Sequence, residues 1–401
     1  MNNVKLYVII CVISFASISV KSQSQCDTLS FINCNENKIV HSENYSDLNL
    51  LIEKFKSLKS DKNNSLQIVH IGDSHLQAGF VTEKIKQQLF LQFSNDSFAA
   101  PGFIFPYTIA QTNNPFFFKV DYSGNWEWCK NVDKEKICKL GLSGITVQTK
   151  DTVTSMCIKM QNSKYNYPAK YYFNKIKILH NLKEEVNITI NNKMTEIFDG
   201  YSLIELPTLE DSVFIEIMQP KNCQFELYGI ILENTMSQIN YHTIGVNGST
   251  AQSYLQCDHF SSHLKLINPD LIIISLGTNE AYDADFRKIE HEYILKDLIY
   301  QIRDVSPNAA FILVTANDHL KNRKYLNPNI QDVNANIFKI CKELKLSYWD
   351  FYTIMGGEQS IIEWYERGLS SEDKLHFKRA GYEIQGELFS NALNKMIEDH
   401  Q

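Results

Sequence analysis

The sequence predicts an α/β protein: a doubly wound parallel sheet with a β-sandwich inserted into it. Three observations predict this. Short β-branched runs alternate with amphipathic helical stretches in two blocks, 46–115 and 240–398. Between them, over 116–235, helical periodicity gives way to short, partly alternating segments separated by turns such as Asn191-Asn192. The βα rhythm then resumes, so the β-rich block is inserted after the first βα unit instead of being appended at an end.

The elements follow in order. Residues 1–22 read as an export signal: Lys5 supplies charge, Leu6 to Val20 is almost entirely apolar or small, and Val20-Lys-Ser22 has small residues for cleavage. An apolar run of about 15 residues is short of the roughly 20 that a membrane span needs. After an Asn-rich leader, 46–58 has the capped, periodic pattern of a helix. A strand over Gln67–Ile71 precedes one helix over 74–93, and 94–115 reads as a loop rich in Gly, Pro and aromatics. Within the insert, segments such as Ile145–Thr149, Thr154–Met160, Val213–Ile217 and Phe225–Leu232 read as strands. Four strand–helix pairs follow: 241–246 with 250–266, 271–276 with 285–304, 310–315 with 330–344, and 347–351 with 378–397. In this reading five strands lie parallel.

Composition narrows the function. The chain has 401 residues, 44% apolar and 21% charged, which suits one large or two ordinary globular domains. Its net charge is −7, with Lys and Arg scattered, so no basic face is available for nucleic acid. Eight cysteines lie beyond the export signal, and Cys26–Cys34 and Cys129–Cys138 are the local pairs expected to bridge in an oxidising compartment. No Cys or His spacing suits a structural zinc, so neither metal nor other cofactor is expected. The mature protein is expected outside the cytoplasm, periplasmic or extracellular, without a stable membrane span.

Four stretches carry chemistry. Ile68-Val-His-Ile-Gly72-Asp73-Ser74 is a strand that ends in a glycine turn and hands over to a helix at a serine. Ile273-Ile-Ser-Leu-Gly277-Thr278-Asn279 is a second strand ending in a glycine and a side-chain amide, and Gly245-Val-Asn-Gly248 is a third strand end. In an open parallel sheet such ends share the carboxyl edge, where ligands bind. Asp373-Lys-Leu-His376 adds a carboxylate and an imidazole three positions apart. Serine needs a base to act as a nucleophile, and an imidazole held by a carboxylate is such a base. Ser74, His376 and Asp373 are therefore the expected catalytic residues. The Ser74 and Gly248 amides with the Asn279 side chain are the expected oxyanion donors.

These blocks (Gly72-Asp73-Ser74, Gly248, Gly277-Thr278-Asn279 and Asp373-x-x-His376) resemble, in order and spacing, those of the SGNH, or GDSL-type, hydrolase family. The usual Leu after the serine is His75 here, and Gly-Asp-Ser-His with an inserted β-domain is similar to bacterial peptidoglycan O-acetylesterases of that family. The resemblance implies a flavodoxin-like three-layer fold, metal-free ester hydrolysis and removal of small acyl groups, acetyl above all, from a glycan. It also implies a glycan-holding role for the insert. Two rivals stand beside it. Asp73-Ser-His75 matches the Asp-x-His opening of metal-dependent phosphoesterases, and a non-catalytic glycan-binding protein is the other. His75 reads as a structural histidine beneath the site, and His319 as a rim residue without a visible partner.

Overall fold

Runs such as Leu271-Ile-Ile-Ile and Ala310-Phe-Ile-Leu-Val are apolar at every position, which suits strands covered on both faces. In a computed structural model they sit inside a six-stranded sheet. Its order is Ile39–Val40, Ser347–Trp349, Ala310–Val314, Leu271–Ser275, Leu66–Gly72, Ile239–Gly245. The structure describes residues 29–399, apart from 42–45, 59, 62–63, 95–97, 165–168 and 182–185, so the leader 1–22 lies outside the described residues. Five of the six strands are parallel, as the βα rhythm predicts. The sixth, Ile39–Val40, pairs antiparallel with Ser347–Trp349 at the edge. It lies in the Asn-rich leader, where two residues are too few to leave a periodic signal.

Alternate residues of the strands serve opposite layers. Ile68, Ile273 and Ile312 pack with helices Ser46–Ser57, Phe80–Phe93 and Arg379–Asp399. Val69, Ile272 and Phe311 pack with Phe260–Ile267, Lys288–Val305 and Asn329–Leu344. This is a three-layer α/β fold.

Two predicted helices are each broken in two. The stretch 74–93 forms Ser74–Gln77 and Phe80–Phe93, because Gly79 adopts φ +82°, a left-handed conformation that ends one helix and starts the next. The stretch 250–266 forms Ala251–Leu255 and Phe260–Ile267. Between these pieces, Asp258 accepts from the Leu140 N–H of the insert at 3.0 Å, and His259 N–H donates to Leu140 O at 2.9 Å.

The β-rich block forms a seven-stranded and a five-stranded antiparallel sheet. Strand Val153–Met160 alternates buried and more open positions, and its buried Met156, Ile158 and Met160 share one core with Val147, Ile176 and Phe225 of the other sheet. The segment read as a loop contributes to this block: Gly102–Ile104 pairs with Phe225–Glu233, with Ile104 opposite Ile230. Phe103 N–H donates to His242 Nδ1 at 3.1 Å, stitching the insert to the parallel sheet. Three residues beside Pro101 are too short a run to read as a strand. Cys129 and Cys138 form a disulfide, with Cα atoms 6.3 Å apart. Cys34 is also disulfide-bonded, while its expected partner Cys26 lies outside the described residues.

Register places the site. Gly72 lies opposite Gly245 on one side and Ser275 on the other. Three chain segments therefore leave the sheet at one level: 73–77, 246–249 and 276–279.

Candidate active site

Asp73 caps the one-turn helix that carries Ser74: its Oδ1 accepts from the His75 N–H at 2.9 Å, and its carbonyl accepts from Leu76 and Gln77. Ser74 is thereby held at the first position of the turn. Its Oγ lies 2.8 Å from His376 Nε2, and His376 Nδ1 lies 2.8 Å from Asp373 Oδ2. Asp373 Oδ1 accepts the Leu375 and His376 N–H groups at 2.9 and 3.0 Å, which locks the short segment that presents both side chains. Half-burial alone would raise the Asp373 pKa. The His376 ring and the two backbone donors outweigh it and hold the carboxyl below its ordinary value. A carboxylate there requires the proton on His376 Nδ1, leaving Nε2 to accept from the Ser74 hydroxyl. The pattern is that of a serine with a positioned base.

The second half of the site presents hydrogen-bond donors. Gly248 has φ +84°, and an added Cβ would meet only Val132, 3.6 Å away. Glycine is required there by backbone conformation and not by crowding. The Ser74 and Gly248 N–H groups find no acceptor among the described residues. Asn279 reaches the same pocket, but its Nδ2 donates to Ser249 O at 2.9 Å and, more weakly, to Asp73 Oδ2 at 3.2 Å. The longer of these bonds is the one an oxyanion would compete for. Asp73 is buried beside Glu280, and burial pushes its carboxyl up to about 7 despite the His75 amide.

Around these groups lies a cleft of about 420 Å³, lined by Ser74, Gly248, Asn279 and His376, with Phe80 and Tyr382 among its apolar walls. Phe80 and Tyr382 stack at 6.3 Å between ring centroids. Sequence reasoning missed these walls, although Tyr382 is only six residues past His376. It also missed Gln77, whose Oε1 takes the Asn247 N–H at 2.8 Å and steadies the Gly248 turn.

Other predicted residues fall elsewhere. His75 is buried: Nδ1 meets the Tyr382 hydroxyl at 3.1 Å, Nε2 has no partner among the described residues, and its ring lies 5.1 Å from that of His376. Burial holds its pKa well below the ordinary value, so it is a neutral ring under the site. The Asp-x-His reading as a metal pair does not fit these contacts, since Asp73 Oδ1 is spent on a backbone amide and His75 Nδ1 on Tyr382. Nor does any group of three or more His, Cys, Asp or Glu gather as a metal site among the described residues. His319 is not a rim residue. It is fully buried, donating through Nδ1 to Asn317 O at 3.0 Å and accepting from Asn327 Nδ2 at 2.8 Å. Glu280 is turned inward and takes the Ala251 N–H at 2.9 Å.

Residues 227–384 match the family model described as GDSL-like lipase/acylhydrolase, a span that holds Gly248, Asn279, Asp373 and His376. That span is similar to a GDSL-like lipase/acylhydrolase domain. No curated protein matches the chain in sequence. Among solved structures, one described as "Peptidoglycan O-acetylesterase in action, 5 min" aligns with a TM-score of 0.74. The alignment covers 90% of this chain and 99% of that one at 20% identity, a likeness of fold that includes the insert. A lipase/acylhydrolase from Enterococcus faecalis aligns over 39% of this chain and 76% of its own (TM-score 0.33, 20% identity). A family two carbohydrate esterase from Cellvibrio japonicus aligns over 69% of this chain and 99% of its own (TM-score 0.30, 11% identity). These two likenesses are too loose to argue from. Together the acylhydrolase domain and the serine–imidazole–carboxylate geometry make the chain a carboxylic ester hydrolase.

Proposed function

We propose that the protein is an exported serine esterase that removes O-acetyl groups from a glycan, peptidoglycan or another polysaccharide. The observation that carries the reading is the Ser74–His376–Asp373 hydrogen-bond chain opening into the cleft beside two unused backbone donors. Ser74 Oγ attacks the ester carbonyl carbon as His376 Nε2 takes its proton. The tetrahedral oxyanion accepts from the Ser74 and Gly248 amides and from Asn279, each such donor contributing about 3 kcal/mol. His376 then passes the proton to the departing sugar oxygen, leaving an acetyl-Ser74 ester. Water, deprotonated by the same imidazole, releases acetate and restores the serine.

A glycan is favoured by a second cavity, of about 150 Å³, in the insert, where Trp126 stands among Glu127, Gln148, Asp151 and Gln224. A flat aromatic ring with amide and carboxylate partners suits a sugar. The fold likeness to a protein described as a peptidoglycan O-acetylesterase points the same way. Export is supported by the leader and by the Cys129–Cys138 disulfide, since such bonds persist in oxidising compartments. No described helix is long and apolar enough to cross a membrane.

The test is acetate release from O-acetylated peptidoglycan and from acetylated xylan, with a serine-directed fluorophosphonate to mark the nucleophile. Labelling at Ser74 and loss of both signals in Ser74→Ala are expected. Acetate release that survives Ser74→Ala would overturn the mechanism, and esterase activity on small esters with neither polymer cleaved would overturn the substrate.

A further inference from the structure

We infer that Asn131, a residue of the β-insert, is a positioning residue for the oxyanion donors of the acylhydrolase domain. It lies 118 residues before the segment it acts on. Asn131 follows the strand Glu127–Lys130, is 2% exposed, and is pinned by its own N–H to Gly144 O at 2.8 Å. Its Oδ1 accepts from the hydroxyl of Ser249, itself 0% exposed, at 2.9 Å. The carbonyl of that same Ser249 takes the shorter of the two Asn279 amide bonds, also at 2.9 Å. One residue from the insert is therefore two hydrogen bonds from the Asn279 amide.

The link reaches the second donor as well. Ser249 closes the turn that bears Gly248 through its N–H to Val246 O at 3.0 Å. Freeing the Ser249 hydroxyl would loosen a left-handed glycine whose amide must point into the cleft. Val132, next to Asn131, is the atom group nearest to where a Gly248 side chain would start. The loop carrying both residues is closed by the Cys129–Cys138 disulfide, and beyond it Leu140 is bonded to Asp258 and His259. The insert thus grips the Gly248–Ser249 turn from one side and the following helices from the other. An amide donor misplaced by about 1 Å costs up to roughly 100-fold in rate. Geometry of this kind acts on the transition state, so kcat should fall while KM stays.

This inference rests on the oxyanion reading of Gly248 and Asn279, and the experiment separates the two. Kinetics on 4-nitrophenyl acetate isolate the cleft, because so small an ester cannot gain from glycan contacts elsewhere on the insert. Asn131→Ala should lower kcat on the order of 10- to 100-fold with KM changed by less than about twofold. The isosteric Asn131→Asp, which keeps the acceptor oxygen, should recover most of that loss. Ser249→Ala removes the hydroxyl, leaves the carbonyl, and should match Asn131→Ala. It carries the test alone if Asn131→Ala does not fold. The double variant should lose no more than either single one, since both break one link. Wild-type kcat in Ser249→Ala, or losses that multiply in the double variant, would overturn the inference while Asn279→Ala and Ser74→Ala remain impaired. Full activity in Asn279→Ala would instead remove the oxyanion reading beneath it.

Discussion

The carboxyl edge of the parallel sheet and the antiparallel insert follow opposite building rules. In the parallel sheet, strands such as Ala310–Val314 are buried throughout, and the segments bearing Ser74, Gly248 and Asn279 leave at the same end. In the insert, strands alternate buried and open positions, and reversals at both ends scatter the loops. The first arrangement concentrates chemistry because parallel connections return the chain to one edge. The second concentrates stability, because each strand adds a half-face to one shared core. Asn131 is the exception, a residue of the second region working in the first.

That contrast has measurable consequences. Replacing Ser74 by Ala should lower kcat by roughly a million-fold, and Asp373→Asn by about 10⁴-fold, with the melting transition little changed. A large loss of stability on either change would undo the separation of roles. Ile158→Ala, deep between the insert's sheets, should do the reverse. Stability falls by about 2–5 kcal/mol in denaturant titration, while kcat on a small ester holds. Loss of kcat there, below the unfolding midpoint, would show the insert coupled to the cleft through its core as well as through Asn131.

Acid pH offers a finer test. His376 works only while its Nε2 is free to accept the serine proton, so acid should depress kcat/KM. Asp373, held below the usual carboxylate range, keeps its charge through that fall. The acid limb should therefore titrate as one group, and a slope of two would contradict the assignment.

The smallest expected effect concerns Asp73. Its carboxyl ionises near its ordinary value when unfolded and at about 7 when folded. Between those values the folded state holds the extra proton, so the group's contribution to stability declines as pH rises from about 4 to about 7. Asp73→Asn cannot ionise. Its melting temperature relative to wild type should be higher at pH 8 than at pH 5, and a difference independent of pH would refute the shift.

Much of this was legible in the chain. Apolar runs, glycine turns and their spacing located the parallel strands, the insert and the serine, amide and acid–base segments, because each signal lies within a few consecutive residues. Elements shorter than a period escaped: the edge strand Ile39–Val40 and the strand Gly102–Ile104 carry no repeat to detect. Helix breaks also escaped at 256–259, where Leu140 of the distant insert bonds both Asp258 and His259. His319 looked partnerless because Asn327 completes it only after the chain turns back through a hairpin.

Local order set most of the strands and helices, and which side chains stand at the strand ends, since propensity and periodicity act over neighbours. Packing set the rest: the flush register of Gly245, Gly72 and Ser275, the inward turn of His319 and Glu280, and the hold of Asn131 on Ser249. These depend on which distant surfaces exclude water together, and burial leaves no mark on the covalent order of two residues 118 positions apart.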